Sequence, residues 1–594
     1  MGFIESSAPY LNMITKSSQE HIRKSDACFF IAFGLINLFS FCLLLGSVTF
    51  LSGHTLSVWQ FPLALVLALL VNYRLIKFLY KDEALPFFGT NSIIVLAIIG
   101  ISIFVAGLFY DVSFDGQSYH MESVYQLGKK WNPIVTKLPA SVNLSEIDYI
   151  NHYPKGAEIP QAAIYAITNK IECGKATNLI LFVACFFLCL AFLYRLNKFS
   201  TKKKIWISAL FVFNPVAVGE LISYYVDGQL AVLLLCFVLI GAFIMIEAKG
   251  YYLFLLGSVI IITVNLKFTG IPFIAIFVFG LLLLLAVNKK IKQLKQVFIS
   301  SALAAVIGIV LAGYHPYVVN TLNYQHPFYP VMGKSKKDII GLVYPESFKN
   351  KNRFEKFSIS FFSHTDELKI YLDKDPEVPP KIPFTFNKVD LKNAPKLGIK
   401  MAGFGPFFSG AVLLSIVLMV LLWRRLTERQ SRINMLIILG TLVLSVFSVP
   451  EAWWARFVPQ LWLFPLIIAY ASEPLNIKSG KLLRTVIYTA LALNILLSLL
   501  IIPWNVFKTA QASYQMACLK ASKDTIKIEL SYFRSNRIRF YENDIPVKEQ
   551  HVDLAHADSV IHSSTKFEVP ANIPPVKKPI LLEWVDAIKK KVKQ

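Results

Sequence analysis

Apolar runs of about 20 residues recur along most of this chain, and a helix of that length spans a hydrocarbon core roughly 30 Å thick. The stretch 91-NSIIVLAIIGISIFVAGLFY-110 holds no charged residue at all. In lipid a backbone must satisfy its own hydrogen bonds, so such runs fold as helices or as strands of a closed barrel. Barrel strands would alternate polar and apolar residues over segments of about 10, and these runs do not. Of the 594 residues 55% are hydrophobic, and the mean hydropathy is +0.54. A soluble chain carries more charge than this. The pattern predicts an α-helical polytopic membrane protein with about 13 transmembrane helices and two long outer loops. The spans are expected near 28–50, 56–73, 91–110, 177–194, 205–222, 229–247, 251–266, 270–287, 297–313, 406–423, 433–449, 458–471 and 484–503. The pair around Lys267 is short enough to be one re-entrant element instead.

The net charge of +23 fits either nucleic-acid binding or the cytoplasmic loop bias of membrane proteins. Its distribution favours the second, with no nucleic-acid partner. Basic residues gather between apolar runs, as in 195-RLNKFSTKKK-204, 289-KKIKQLK-295 and 424-RRLTERQSR-432. With 13 spans these groups share one side with Arg23, Lys24, Arg74 and Lys77, and that side is expected to be the cytoplasm. The chain then divides into a cytoplasmic tail 1–27, a membrane domain 28–503 with outer loops 111–176 and 314–405, and an extracytoplasmic segment 504–594. Alternation in 526-IKIELSYFRSNRIRFYEN-543 suggests a small α/β or β-containing domain there. The first apolar run is long enough to stay as a span, so no cleaved leader is expected. The cysteines show no CxxC and no metal spacing, and no metal or other cofactor is predicted.

The same assignment puts six polar clusters on the outer face. They are 111-DVSFDGQSYH-120, 151-NHYPKGAE-158, 223-SYYVDGQ-229, 265-NLKFTG-270, 314-YHPYVVNTLNYQHPFYP-330 and 451-EAWWARF-457. Convergence of distant segments on one face points to one site. Asp111 or Asp115 could act as a general base taking a proton from an acceptor hydroxyl. Either could equally be a cap or turn residue. Lys267 and Arg456 could hold a phosphate, although interfacial anchoring is the common use of such residues. His315 could join them, and Tyr225 and Asp227 could shape the donor pocket. Gln117, His120, His152, Lys155, His326, Trp453 and Trp454 are candidate acceptor or loop contacts. The chain has no P-loop, no GxGxxG after a strand and no HExxH, so ATP-driven transport and zinc proteolysis find no support.

DGQSYH, NHYPKG, NPVAVGELISYYVDGQ, NLKFTG, HPFYPVMG and WWARFVPQLW together make residues 90–470 resemble the GT-C superfamily of integral-membrane glycosyltransferases. That family carries an acidic motif in a long first outer loop, here 111-DVSFD-115. In this chain the motif follows the third expected span rather than the first, and its acids are spaced DxxxD rather than adjacent. The resemblance implies an inverting transfer of a sugar from a polyprenyl-phosphate donor to a glycan, lipid or protein acceptor. It also implies that the enzyme is in contact with membrane lipid, in a bacterial inner membrane, with its active face outside the cytoplasm. In that reading loop 111–176 carries the base and surface-lying amphipathic helices, and loop 314–405 covers the acceptor site. The competing expectations are a transporter or flippase of a lipid-linked saccharide, an envelope polysaccharide ligase or polymerase, and a non-catalytic scaffold.

Overall fold

The structure is a computed structural model, and it describes residues 8–593 apart from 144, 335, 338–342, 371, 474–477, 554, 556 and 560–564. The first seven residues of the expected N-terminal tail lie outside the described residues.

Among the described residues nine helical stretches are long and apolar enough to cross a membrane. They are Gln19–Leu51, Gln60–Leu108, Ile171–Leu196, Asp227–Ile246, Gly270–Val287, Ile291–Ala312, Phe408–Arg425, Arg429–Phe447 and Ser479–Ser522. The second divides into Gln60–Tyr80 and Ala84–Leu108 across a short turn, and the last into Lys478–Ser498 and Ile501–Ser522. Gly250–Leu266 and Pro459–Ala471 are shorter apolar helices. Gln19–Leu51 and Asp227–Ile246 are the most buried of these stretches. Gln19–Leu51 packs on Gln60–Tyr80, Ala176–Leu196 and Gly250–Leu266. Large apolar side chains such as Phe104, Phe279 and Phe298 point outward from the bundle. Outward apolar faces on long apolar helices fit a multi-pass membrane protein.

The expected span at 205–222 differs. It is two short helices, Thr201–Val212 and Pro215–Gly219. Asn214 breaks it, because its side chain accepts from Val216 N at 3.0 Å and donates to Pro459 O at 2.8 Å. Asn is a good cap, and Pro215 cannot continue the preceding helix. Around Lys267 two helices meet, Gly250–Leu266 and Gly270–Val287, joined by a tight turn. The last bundle helix also departs from its expected end near 503, since a further helix, Ile501–Ser522, follows it.

The helix ends fall into two groups. Arg195 pairs with Glu247, Lys203 with Glu473, and Lys290 donates to Met245 O. These contacts bring the basic segments near 195–204 and 289–295 together at one end of the bundle. The polar clusters meet at the other end. There Gly156 N donates to Asn265 O at 2.7 Å, His315 donates to Asn151 O at 2.7 Å, and the Tyr153 and Phe268 rings lie 5.2 Å apart. Loop 111–176 does not lie as a surface layer. Its helix Glu158–Thr168 is buried from Glu158 through Tyr165 and packs on Met121–Gly128. In the 314–405 loop Phe348, Leu368 and Met401 close over Trp453 and Trp454.

The C-terminal domain is a four-stranded sheet in the order β2-β1-β4-β3, with β1 Ile526–Glu529, β2 Val547–Glu549, β3 Ala557–Ser559 and β4 Lys566–Glu568. β1 and β2 are parallel, and the other pairs are antiparallel. A parallel pair needs a crossover. The second half of the alternating run supplies it as a helix, Asn536–Glu542. Ile526, Ile528, Phe540 and Phe567 form its core with Met516 and Leu519 of the preceding helix.

At Gly156 a Cβ would lie 2.4 Å from the Asn265 carbonyl oxygen, so the loop can cross the end of Gly250–Leu266 only without a side chain. Gly156→Ala is expected to destabilise the protein by about 1–3 kcal/mol, read as a lowered melting temperature in detergent. Gly100→Ala, inside Ala84–Leu108 and meeting nothing within 4 Å, should not lower it.

Candidate functional site

The site begins where Ala84–Leu108 ends and the chain turns extended at Phe109. Asp111 folds back on its own backbone, its Oδ1 accepting from Ser113 N at 2.7 Å. This is the local turn that Asp favours. Its Oδ2 accepts from Tyr224 N at 2.9 Å. Gly116 follows because a Cβ there would lie 2.0 Å from the Asp111 carboxylate. The turn widens into a π-helix over Gly116–His120, a form often found at functional sites. Asp115 is left at the lip of this turn with its carboxylate pointing across the site.

The second wall is the segment 220–229. Asn178, in the first turn of Ala176–Leu196, offers its amide to the carbonyls of Glu220, Ser223 and Tyr225 at 2.8–3.0 Å. That fixes the bend from which Asp227 opens its helix. Glu220 accepts from Gly228 N at 2.6 Å beside it.

Two cations from two further segments close the arrangement. Arg456 donates through Nε to Asp227 Oδ2 at 2.7 Å and through Nη2 to Asp115 Oδ2 at 2.7 Å. Lys267 Nζ meets Asp227 Oδ1 at 2.6 Å. Four charged groups from four distant segments therefore make one chain of contacts, with two positive and two negative charges. The Arg456 guanidinium lies 4.3 Å from the Tyr225 ring and 5.3 Å from Trp454, and Lys267 lies 4.1 Å from Phe457. Tyr119 stacks on Tyr149, and Tyr149 meets Tyr153 edge-on. Asp227 is fully buried, whereas the side chains of Asp115, Lys267 and Arg456 keep 21%, 18% and 13% of their surface. A ligand can reach the last three.

The other candidates lie outside this network of charges. Asp111 is fully buried, and burial pushes its carboxyl above the usual range against the pull of Lys175. Gln117 faces the C-terminal domain, its Oε1 accepting from Asn536 at 3.1 Å. His120 meets Glu158 at 3.0 Å, and Lys155 pairs with the same carboxylate at 2.7 Å. His152 bonds Asn320 at 3.0 Å, and burial pushes it down to about 4. Burial likewise pushes His315 down to about 3, so it is neutral and lies with Lys155 and Asn151 rather than with Arg456. His326 accepts from Phe328 N at 3.1 Å in a local turn. Trp453 donates to Glu451 at 2.8 Å and packs on Phe348, and Trp454 donates to Ile399 O at 2.8 Å.

Glu220, Phe457 and Glu146 were not singled out from the sequence. Glu220 had a signal, being an acid within an expected span. Glu146 had none, since it is one charged loop residue among many. Among the described residues no three His, Cys, Asp or Glu side chains gather as a metal-ligand set. The arrangement sets two paired cations beside a carboxylate at its rim.

Burial and then the Asp115 carboxylate push Glu146 up to about 7 from an ordinary 4.5. Its folded form binds the proton more tightly than the unfolded chain. The stabilisation is fully present below pH 4.5 and is lost as pH rises to about 7. Melting temperature should therefore fall across that window, and Glu146→Gln should flatten this part of the pH dependence. An unchanged slope in the variant would remove Glu146 from the electrostatics of the site. No protein-family model matches the chain, and no curated protein or solved structure does so either.

Proposed function

We propose that this protein is a membrane glycosyltransferase of GT-C type, moving a sugar from a polyprenyl-phosphate donor to a hydroxyl-bearing acceptor outside the cytoplasm. The observation that carries the reading is the Asp115–Arg456–Asp227–Lys267 network, assembled from four separate segments at one end of the bundle. The basic segments at the opposite end support a cytoplasmic location for that end. The resemblance of residues 90–470 to GT-C enzymes supports a bacterial inner membrane.

The chemistry is as follows. The acceptor oxygen attacks the anomeric carbon from the face opposite the phosphate. The bond from that carbon to the phosphate oxygen breaks, and polyprenyl phosphate leaves with the electron pair. Arg456 and Lys267 hold the phosphate and neutralise the growing charge. Asp115 takes the acceptor's proton. Arg456 is shared between two carboxylates. An incoming phosphate competes for the guanidinium and frees an Asp115 oxygen to face the acceptor. The half-buried rings of Tyr149 and Tyr153 offer flat apolar faces for a sugar.

Asp115 is preferred over Asp111 as the base because it is the one a substrate can touch. Asp111, accepting two backbone N–H groups, supports the loop. The charged groups lie at helix ends and in the turns beside them. A saccharide flippase would instead place polar groups along mid-span, so its competing claim is weaker.

Asp115→Asn should lower turnover by about a hundredfold or more while the protein still folds. Lys267→Ala should lower kcat as well as raise the KM for donor. In cells lacking the protein, mass spectrometry of envelope glycans should show a missing sugar and accumulated polyprenyl-phosphate monosaccharide, restored by wild type and not by Asp115→Asn. Unchanged glycans, or whole lipid-linked oligosaccharides stranded on the inner leaflet, would overturn the assignment.

A further inference from the structure

The acidic loop is held from outside the membrane domain. Arg539 sits in the crossover helix Asn536–Glu542 of the C-terminal domain and is 1% exposed. Its Nε donates to Glu172 Oε1 at 2.8 Å and its Nη2 to the Asp111 carbonyl at 2.8 Å. Its Nη1 donates to Asn536 Oδ1 at 2.6 Å, and Asn536 in turn donates to Gln117 Oε1 at 3.1 Å. The guanidinium also lies 5.1 Å from the Tyr110 ring. On the other side of the same residue, Asp111 N donates to Glu172 Oε2 at 3.0 Å. Both peptide groups of Asp111 are thus tied to one buried ion cluster of Arg539, Glu172 and Lys175. The contacts bracket Asp115 on its two sides, at 110–111 and at 117. Through the Asp111 carboxylate they continue to Tyr224, the neighbour of Tyr225.

We propose that Arg539 is a positioning residue for Asp115, and that the C-terminal domain is in this way part of the site. The proposal rests on Asp115 being the base. The planar guanidinium reaches the carboxylate, the carbonyl and the amide in different directions at once. An ammonium is a compact charge on a flexible stem and does not reproduce that fork. A base displaced by about 1 Å loses rate rather than affinity, so the predicted signature lies in kcat.

The test uses the full chain in lipid nanodiscs, comparing wild type, Arg539→Lys, and Lys527→Ala at the exposed Lys527–Glu568 pair of the same domain. Backbone hydrogen exchange and steady-state transfer from a polyprenyl-phosphate sugar are both read. For Arg539→Lys, exchange at 110–118 and 223–227 should rise about tenfold while the buried bundle helices keep their protection. kcat should fall about tenfold or more, and KM for the donor should change less than about twofold. Lys527→Ala should change neither. Unaltered exchange in those two segments, or an unaltered kcat, would overturn the proposal. If Arg539→Lys loosens the whole protein, Arg539→Gln decides, because Glu172 then keeps Lys175 as its partner. Loosening confined to those segments supports the proposal, and none overturns it. If wild type itself transfers no sugar, the functional reading fails, while the exchange measurement still shows whether Arg539 holds the loop.

Discussion

A buried carboxylate in a protein of this kind needs a partner, and Asp227 has two. It sits at the start of a buried helix with Lys267 on one oxygen and Arg456 on the other. Taking one ionised group out of water costs several kcal/mol unless charge and hydrogen bonds compensate it. Here compensation needs three separate pieces of chain to meet: the start of Asp227–Ile246, the turn after Gly250–Leu266, and the segment before Pro459. The rest of the site is arranged around that meeting. Arg456, once placed by Asp227, has a second edge free, and Asp115 takes it.

The loops share in this. Asn178 fixes the bend at 220–225, Gly156 lets the first long loop press on Asn265, and the second long loop packs on Trp453 and Trp454. The C-terminal sheet reaches the acidic loop through Arg539, while Arg537 pairs with the buried Glu122 beside it. Few of these contacts are interchangeable, because the buried donors and acceptors concerned have no water to fall back on. Both cations of the network are paired with carboxylates.

Much of this was legible along the chain. Runs such as 91–110 and 270–287 announced helices by length and composition alone. Asp115, Asp227, Lys267, Arg456 and Tyr225 drew notice as charged or aromatic residues at the ends of such runs, and they meet in space. The reading was weaker where local pattern is ambiguous. Apolar content hid the break at Asn214–Pro215 inside the expected span 205–222. Alternation in 526–543 is strand in its first half and helix in its second, because the parallel pair β1 and β2 needs a crossover between them. His315, which along the chain could join a phosphate site or serve structure alone, bonds Asn151 O.

The sequence alone determined the apolar helical architecture, the grouping of basic residues between spans, and the few charged positions at span ends. Those follow from hydrophobic length and charge, which are properties of short segments. Tertiary structure decided which acid is reachable and which supports the loop. Asp111 and Asp115 differ by four positions and by nothing in residue type. Only burial, and the backbone groups that happen to surround each one, separates them. The part of Arg539 was equally invisible beforehand, since its partners Glu172, Asp111 and Gln117 lie more than 350 residues away along the chain. A contact of that kind is set by how domains pack, and no local pattern encodes it.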